Sequence, residues 1–120
     1  MAVASKLAFS ESSNGRLIRL EDITSAGTLI HLTPTTNVKD VIHLWAHLLV
    51  TATSRTLSIE WGGTATLDII TVFLGSGTLA TGPVKVIDGW PLTTASGLTV
   101  RGFATASDTV FIGGFVNRFA

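Results

Sequence analysis

Asn37-Val38-Lys39-Asp40-Val41-Ile42-His43-Leu44-Trp45-Ala46-His47-Leu48-Leu49-Val50 is the stretch on which the fold turns. As a helix it has a capping residue in Asn37, and Asp40, His43, His47 and Thr51 follow helical spacing. As a strand it runs into Thr51-Ala52-Thr53-Ser54, a turn leading to the strongly β-like Thr56-Leu57-Ser58-Ile59-Glu60-Trp61. The strand reading joins the two segments as a hairpin, and the remainder of the chain favours it. Eighteen Thr, nine Ile and ten Val make the composition heavily β-branched. Such side chains keep more freedom on a pleated surface than on a helix.

Turn signals recur at short spacing on both sides of this segment: Ser13-Asn14-Gly15, Ser25-Ala26-Gly27, Pro34 to Asn37, Ser54, Gly62-Gly63, Gly75-Ser76-Gly77, Gly82-Pro83, Asp88-Gly89, Ser96-Gly97, Ser107-Asp108 and Gly113-Gly114. They delimit expected strands at 16–20, 27–32, 41–50, 56–61, 66–74, 84–87, 98–104 and 110–119. About eight short strands in one chain predict an all-β, single-domain β-sandwich or a jelly-roll-like barrel. Residues 16–120 form that domain in this reading. Residues 1–15, rich in Ser and poor in large apolar groups, form a loose, flexible N-terminal arm.

Composition narrows the function classes. The 120 residues are 46% hydrophobic even without their 12 Gly, and 13% charged, against about 25% charged in an average domain. Eight basic and eight acidic residues cancel, which leaves no electrostatic footprint for nucleic acid. Apolar runs such as Val72-Phe73-Leu74 fall far short of the roughly 20 residues a membrane span needs. The segment from Met1 to Lys6 lacks the apolar stretch of a cleaved secretion signal. A small domain with so little charge leaves apolar surface to be covered by partners, so the composition predicts association.

Chemistry-bearing residues are sparse. His31, His43 and His47 are the candidate bases and ligands. On a strand, His43 and His47 share a face but stand about 13 Å apart at about 3.3 Å per residue, too far to bind one metal. The carboxylates are scattered, and the adjacent Glu21 and Asp22 point to opposite faces if extended. Gly75-Ser76-Gly77 lacks the spacing of a nucleophile elbow, and Gly62-Gly63 and Gly113-Gly114 read as bends rather than phosphate cradles. The expectation is no catalytic residue, no metal and no cofactor. Trp45, Trp61 and Trp90 would form a sugar-stacking platform if they lay in a row on an exposed sheet; otherwise they are core or subunit-interface aromatics. Trp90, beside the expected Asp88-Gly89 turn, is the one expected to be exposed.

Four segments carry a resemblance: Leu57-Ser58-Ile59-Glu60-Trp61-Gly62-Gly63, Val84-Lys85-Val86-Ile87-Asp88-Gly89-Trp90-Pro91-Leu92, Leu98-Thr99-Val100-Arg101-Gly102-Phe103-Ala104, and Val116-Asn117-Arg118-Phe119. Together, over roughly Asp40 to the C-terminus, the chain resembles small virion proteins of tailed bacteriophages. The resemblance implies a late-expressed particle component such as a capsid decoration (cement) protein, made in the host cytoplasm and carried on the capsid surface, with no catalytic residues. Its expected partners are the major capsid protein or other virion subunits, together with further copies of itself as a homo-oligomer. A sugar-binding or adhesive module of a fibre or tail, and a tail-tube, stopper or head-completion subunit, are the rival readings. If 110–119 is an open edge strand, a neighbour can pair with its backbone. The expected interface is therefore Val110, Phe111, Ile112, Phe115, Val116, Arg118 and Phe119, with Arg101 and Trp90.

Overall fold

The computed structural model describes residues 4–49, 54–75, 83–94 and 97–119, and over these the chain is a two-layer β-sandwich. Nine strands follow one another: β1 (Ala4–Leu7), β2 (Ile18–Arg19), β3 (Thr28–Leu32), β4 (Val38–Leu48), β5 (Arg55–Trp61), β6 (Ile69–Leu74), β7 (Val84–Thr94), β8 (Thr99–Ala104) and β9 (Val110–Phe119). A short 3-10 turn, Thr66–Asp68, precedes β6. The larger sheet has the order β1-β9-β4-β7, with β2 also paired to β9; the smaller has the order β3-β8-β5-β6, and all pairs are antiparallel.

The deciding segment is a strand. Along β4, Asp40, Ile42, Leu44, Ala46 and Leu48 are buried, while Val41, His43, Trp45 and His47 alternate with them on the other face. A period of two over this length excludes the helix. The inward residues meet Val110, Ile112 and Val116 of β9 and Ile87 and Leu92 of β7. Ile30, Leu57, Ile59, Leu74, Val100 and Ala104 of the smaller sheet close the core from the other side. Burying each of the larger side chains contributes about 1.5–3 kcal/mol, so the two facing stripes hold the layers together.

Four expectations need correction. The hairpin between 41–50 and 56–61 does not form: β4 lies between β9 and β7 in one sheet, and β5 lies between β8 and β6 in the other. The expected turn at 51–53 falls outside the described residues. The N-terminal segment is not a loose arm over its described part. Ala4–Leu7 pairs with Phe119–Val116 of β9, and Phe9 is buried in the core. Backbone pairing needs no large side chains, so the polar composition of this segment did not disclose it. For the same reason β9 is not an open edge: β4 occupies one side, and β1 and β2 share the other.

The fourth correction concerns Asp88-Gly89, which is not a turn. β7 runs straight through it, and the pairing to β4 steps from Ile42↔Trp90 to His43↔Asp88, leaving Gly89 as the extra residue of a bulge. Its φ of +73° is the left-handed conformation that both a bulge and a tight turn require. On the other side of β4, Gly114 of β9 has a φ of +144°, and a Cβ there would stand 2.0 Å from the His43 carbonyl oxygen. Glycine is what lets β9 approach β4 at that point.

Candidate interaction surface

Asp40, His31 and Arg118 form a clamp inside the sandwich. Asp40 on β4 is fully buried and accepts two hydrogen bonds from Arg118 of β9, from Nε at 2.7 Å and from Nη2 at 2.9 Å. Its Oδ2 also stands 2.8 Å from Nε2 of His31, on β3 of the opposite sheet. The other ring nitrogen of His31, Nδ1, accepts the Ser10 backbone N–H at 3.0 Å, so the proton sits on Nε2 and is donated to Asp40. Burial pushes His31 below its ordinary value of 6.5, an effect its hydrogen bond to Asp40 offsets only in part, and the ring is neutral. Burial opposes ionisation of Asp40, yet the Arg118 guanidinium and the His31 N–H hold its carboxyl below the ordinary 3.8.

Ser, His and Asp thus come together here, but their wiring is that of a brace. Both nitrogens of His31 and both oxygens of Asp40 are engaged by the protein. The Ser10 hydroxyl oxygen accepts the Leu32 N–H at 2.7 Å instead of facing the ring. One ion pair and one neutral imidazole tie β3, β4, β9 and the segment after β1 into a single unit.

A second brace lies on the smaller sheet. Glu60 of β5 is fully buried and accepts hydrogen bonds from the Ser25 hydroxyl and the Gly27 N–H, each at 2.6 Å. Arg101, opposite Glu60 in the β5–β8 register, donates to the Gly27 carbonyl at 3.0 Å. This pins the 25–27 segment against the sheet.

The outer face of the larger sheet is different, because its aromatic residues face away from the core. His43 stacks on Phe115, its cross-strand neighbour on β9, with ring centroids 4.6 Å apart and 18° between planes. Trp45 approaches Phe115 at 6.1 Å. Two ammonium groups lie over the rings: Lys6 Nζ is 4.4 Å from the Phe115 centroid, and Lys85 Nζ is 4.5 Å from that of Trp45. Lys85 is also paired with Asp88 at 2.7 Å. Next to Trp45 a recess of about 510 Å³ is lined by Leu17, Trp45, His47, Pro83, Gly113 and Gly114. The face thus combines apolar and aromatic contact area with two cations laid over its rings, a mixture of groups that protein contacts employ.

The expected interface residues divide accordingly. Val110, Ile112 and Val116 are fully buried in the core and are not available to a partner, because they sit on the inward parity of β9. Phe111, Phe115 and Phe119 lie on the outward parity and are half-buried on the larger sheet's outer face. Arg118 is committed to Asp40, and Arg101 to Gly27. Trp90 is 43% exposed and stands edge-to-face with Trp61 at 5.7 Å, while Trp45 lies on the outer face of the larger sheet, so the three tryptophans form no row. Sequence reasoning missed His43, Trp45, Lys6 and Lys85 as members of one surface. The signal was the alternation in β4, which places aromatic residues on the face opposite Ile42, Leu44 and Leu48. Among the described residues no three His, Cys, Asp or Glu side chains are grouped as a metal would need. Compared with protein-family models, curated proteins and solved structures, the chain matches none.

Proposed function

We propose that this chain is a noncatalytic structural protein of a tailed-bacteriophage virion, a capsid decoration protein that binds the outside of the head and stabilises it by bridging capsid subunits. It is made in the host cytoplasm and acts on the capsid surface. The observation that carries the reading is the outer face of the larger sheet, where His43 stacks on Phe115, Trp45 stands tilted beside it, and Lys6 and Lys85 lie over the Phe115 and Trp45 rings. The low overall charge and the resemblance of residues 40–119 to small phage virion proteins support it.

The physical logic runs from the interior outwards. The Asp40 brace ties the two sheets together and the Glu60 brace fixes residues 25–27 on the smaller one, so the outer face is presented preorganised and little entropy is lost on docking. Flat aromatic groups supply contact area, and the two lysines meet carboxylates or carbonyls at the rim. A shell repeats its subunits, so contacts of modest individual strength add up when one decoration unit spans two of them. A ligand that binds the assembled shell and not its separated subunits stabilises the shell by mass action.

The test is co-sedimentation of the purified chain with phage heads lacking it, followed by a thermal rupture assay of the heads. Saturable binding and a raised rupture temperature are expected, both lost in the double variant Trp45→Ala/Phe115→Ala while that variant still melts cooperatively. A wild-type chain that stays in the supernatant, or a double variant that binds undiminished, overturns the reading.

A further inference from the structure

We infer that strand β6 is a self-pairing edge, through which a second copy of this chain extends the smaller sheet across a two-fold axis. The inference stands on that edge alone and holds whether or not the protein docks on a capsid.

A strand at the end of a sheet presents every second N–H and C=O to whatever adjoins it, and proteins normally blunt such edges. Three of the edges here are blunted. β7 carries Lys85, Pro91 and the Gly89 bulge. The β1 and β2 side is broken into segments of four and two residues bearing Lys6 and Arg19. β3 is interrupted by a register shift between Leu29 and His31, with Pro34 close behind.

β6 has none of these devices. Its sequence, Ile69-Ile70-Thr71-Val72-Phe73-Leu74, contains no charge, proline or glycine, and it pairs with β5 through six consecutive residues without a shift. Among the described residues nothing pairs with its other side. Phe73 is 71% exposed, and Leu67, just before the strand, is 98% exposed.

The occupant follows from the strand's symmetry. A two-fold interface places a surface against itself, and an antiparallel strand can pair with its own copy. With the axis at Thr71, Thr71 faces its counterpart, and Phe73 lies across from Ile69 of the second copy, twice. These are aromatic and β-branched cross-strand neighbours, a favourable combination. On the inner side Ile70 falls opposite Val72. Both residues are packed against the core but only partly buried in the single chain, and pairing completes their cover. Outward residues meet outward residues, so no side chain changes face.

Sedimentation velocity over a concentration series is expected to show a monomer–dimer equilibrium for the wild-type chain. Phe73→Lys, a change at an exposed position, should raise the dimer dissociation constant about tenfold or more. The chain has no Cys, which allows a geometric check that does not depend on affinity. Directly opposed residues of an antiparallel pair have Cα atoms about 4.5–5.5 Å apart, within disulfide reach. Thr71→Cys should therefore give a covalent dimer under mild oxidation. Ser58→Cys, one strand further from the axis and about 14 Å from its counterpart, should not. A wild-type chain that remains monomeric at several hundred micromolar, Phe73→Lys associating as well as wild type, or equal cross-linking at 58 and 71 overturns the inference.

Discussion

Replacing Asp40 by Ala removes the acceptor at the centre of the interior clamp, and the cost can be worked from its contacts. His31 loses the partner of its Nε2–H in a site where neither ring nor carboxylate meets water, and an unsatisfied buried donor costs about 1–3 kcal/mol. Arg118 loses both of its charge-assisted bonds, although its side chain is 27% exposed and recovers part of its hydration. Breaking one side of a buried ion pair costs about 3–5 kcal/mol, and the partial exposure of Arg118 puts the expected loss near 3–4 kcal/mol. A domain of this size has roughly 6–18 kcal/mol to lose, so the variant folds but melts about 10–15 °C lower. Guanidinium unfolding followed by tryptophan fluorescence measures the change, with protein concentration held fixed. Arg118→Ala in the same background should add little, because the two residues act together, with a coupling of about 1.5–3 kcal/mol. An Asp40→Ala protein within about 1 kcal/mol of wild type, or strictly additive single and double variants, would falsify the account of the clamp.

Acid should weaken the fold in two stages. His31 has a lowered folded-state value, so the unfolded chain binds its proton first, and stability falls as pH drops below about 6.5; His31→Gln should remove that part of the slope in urea titrations between pH 7 and 5. Asp40 is also lowered, so its contribution is present above about pH 4 and disappears as pH falls through its folded value, steepening the loss there. Glu60→Gln keeps the shape of the second brace but replaces one of the two accepting oxygens beside the Ser25 hydroxyl and the Gly27 N–H by an NH2 donor; a loss of about 1–3 kcal/mol is expected by chemical denaturation. Gly114→Ala must move backbone, since the new Cβ would meet the His43 carbonyl at 2.0 Å, and should cost more than about 3 kcal/mol or prevent soluble expression. Phe115→Ala, on the outer face, should cost clearly less stability than Ile112→Ala in the core, for which about 2–5 kcal/mol is expected.

What was legible in the sequence was local. The β-branched composition and the turn residues report on single backbone positions, and several turn assignments hold for that reason: Asn14, Gly15, Gly62 and Asp108 all adopt positive φ. Asp88-Gly89 shows the limit of such signals. A bulge and a turn both call for a glycine with positive φ, and the sequence does not say whether the strand resumes in the same direction. Strand neighbours were not legible at all. β1 and β9 lie at opposite ends of the chain, and their pairing is made by backbone groups that every residue possesses. The condition that β9 be an open edge is not met there, and nothing in Val110–Phe119 itself records that β4 holds one side and β1 and β2 the other.

The same limit explains Arg118 and, by contrast, the outer face. Arg118 reads as a solvated or contact charge because its partner lies 78 residues away, and His31 and Asp40 meet across nine residues and two sheets. Once the strand reading of β4 is accepted, however, its alternation carries information in both directions. Asp40 is a charge on the parity of Ile42, Leu44 and Leu48, so it needs partners from the interior. Trp45 and His43 are aromatic residues on the parity of solvent, so their contacts come from the outer face. The interior demand is met by Arg118 and His31. On the outer parity, among the described residues, the partners come from the same face: His43 stacks on Phe115 with Trp45 beside it, and the Lys6 and Lys85 ammonium groups lie over the Phe115 and Trp45 rings, an aromatic surface that long, flexible cations cover without sealing.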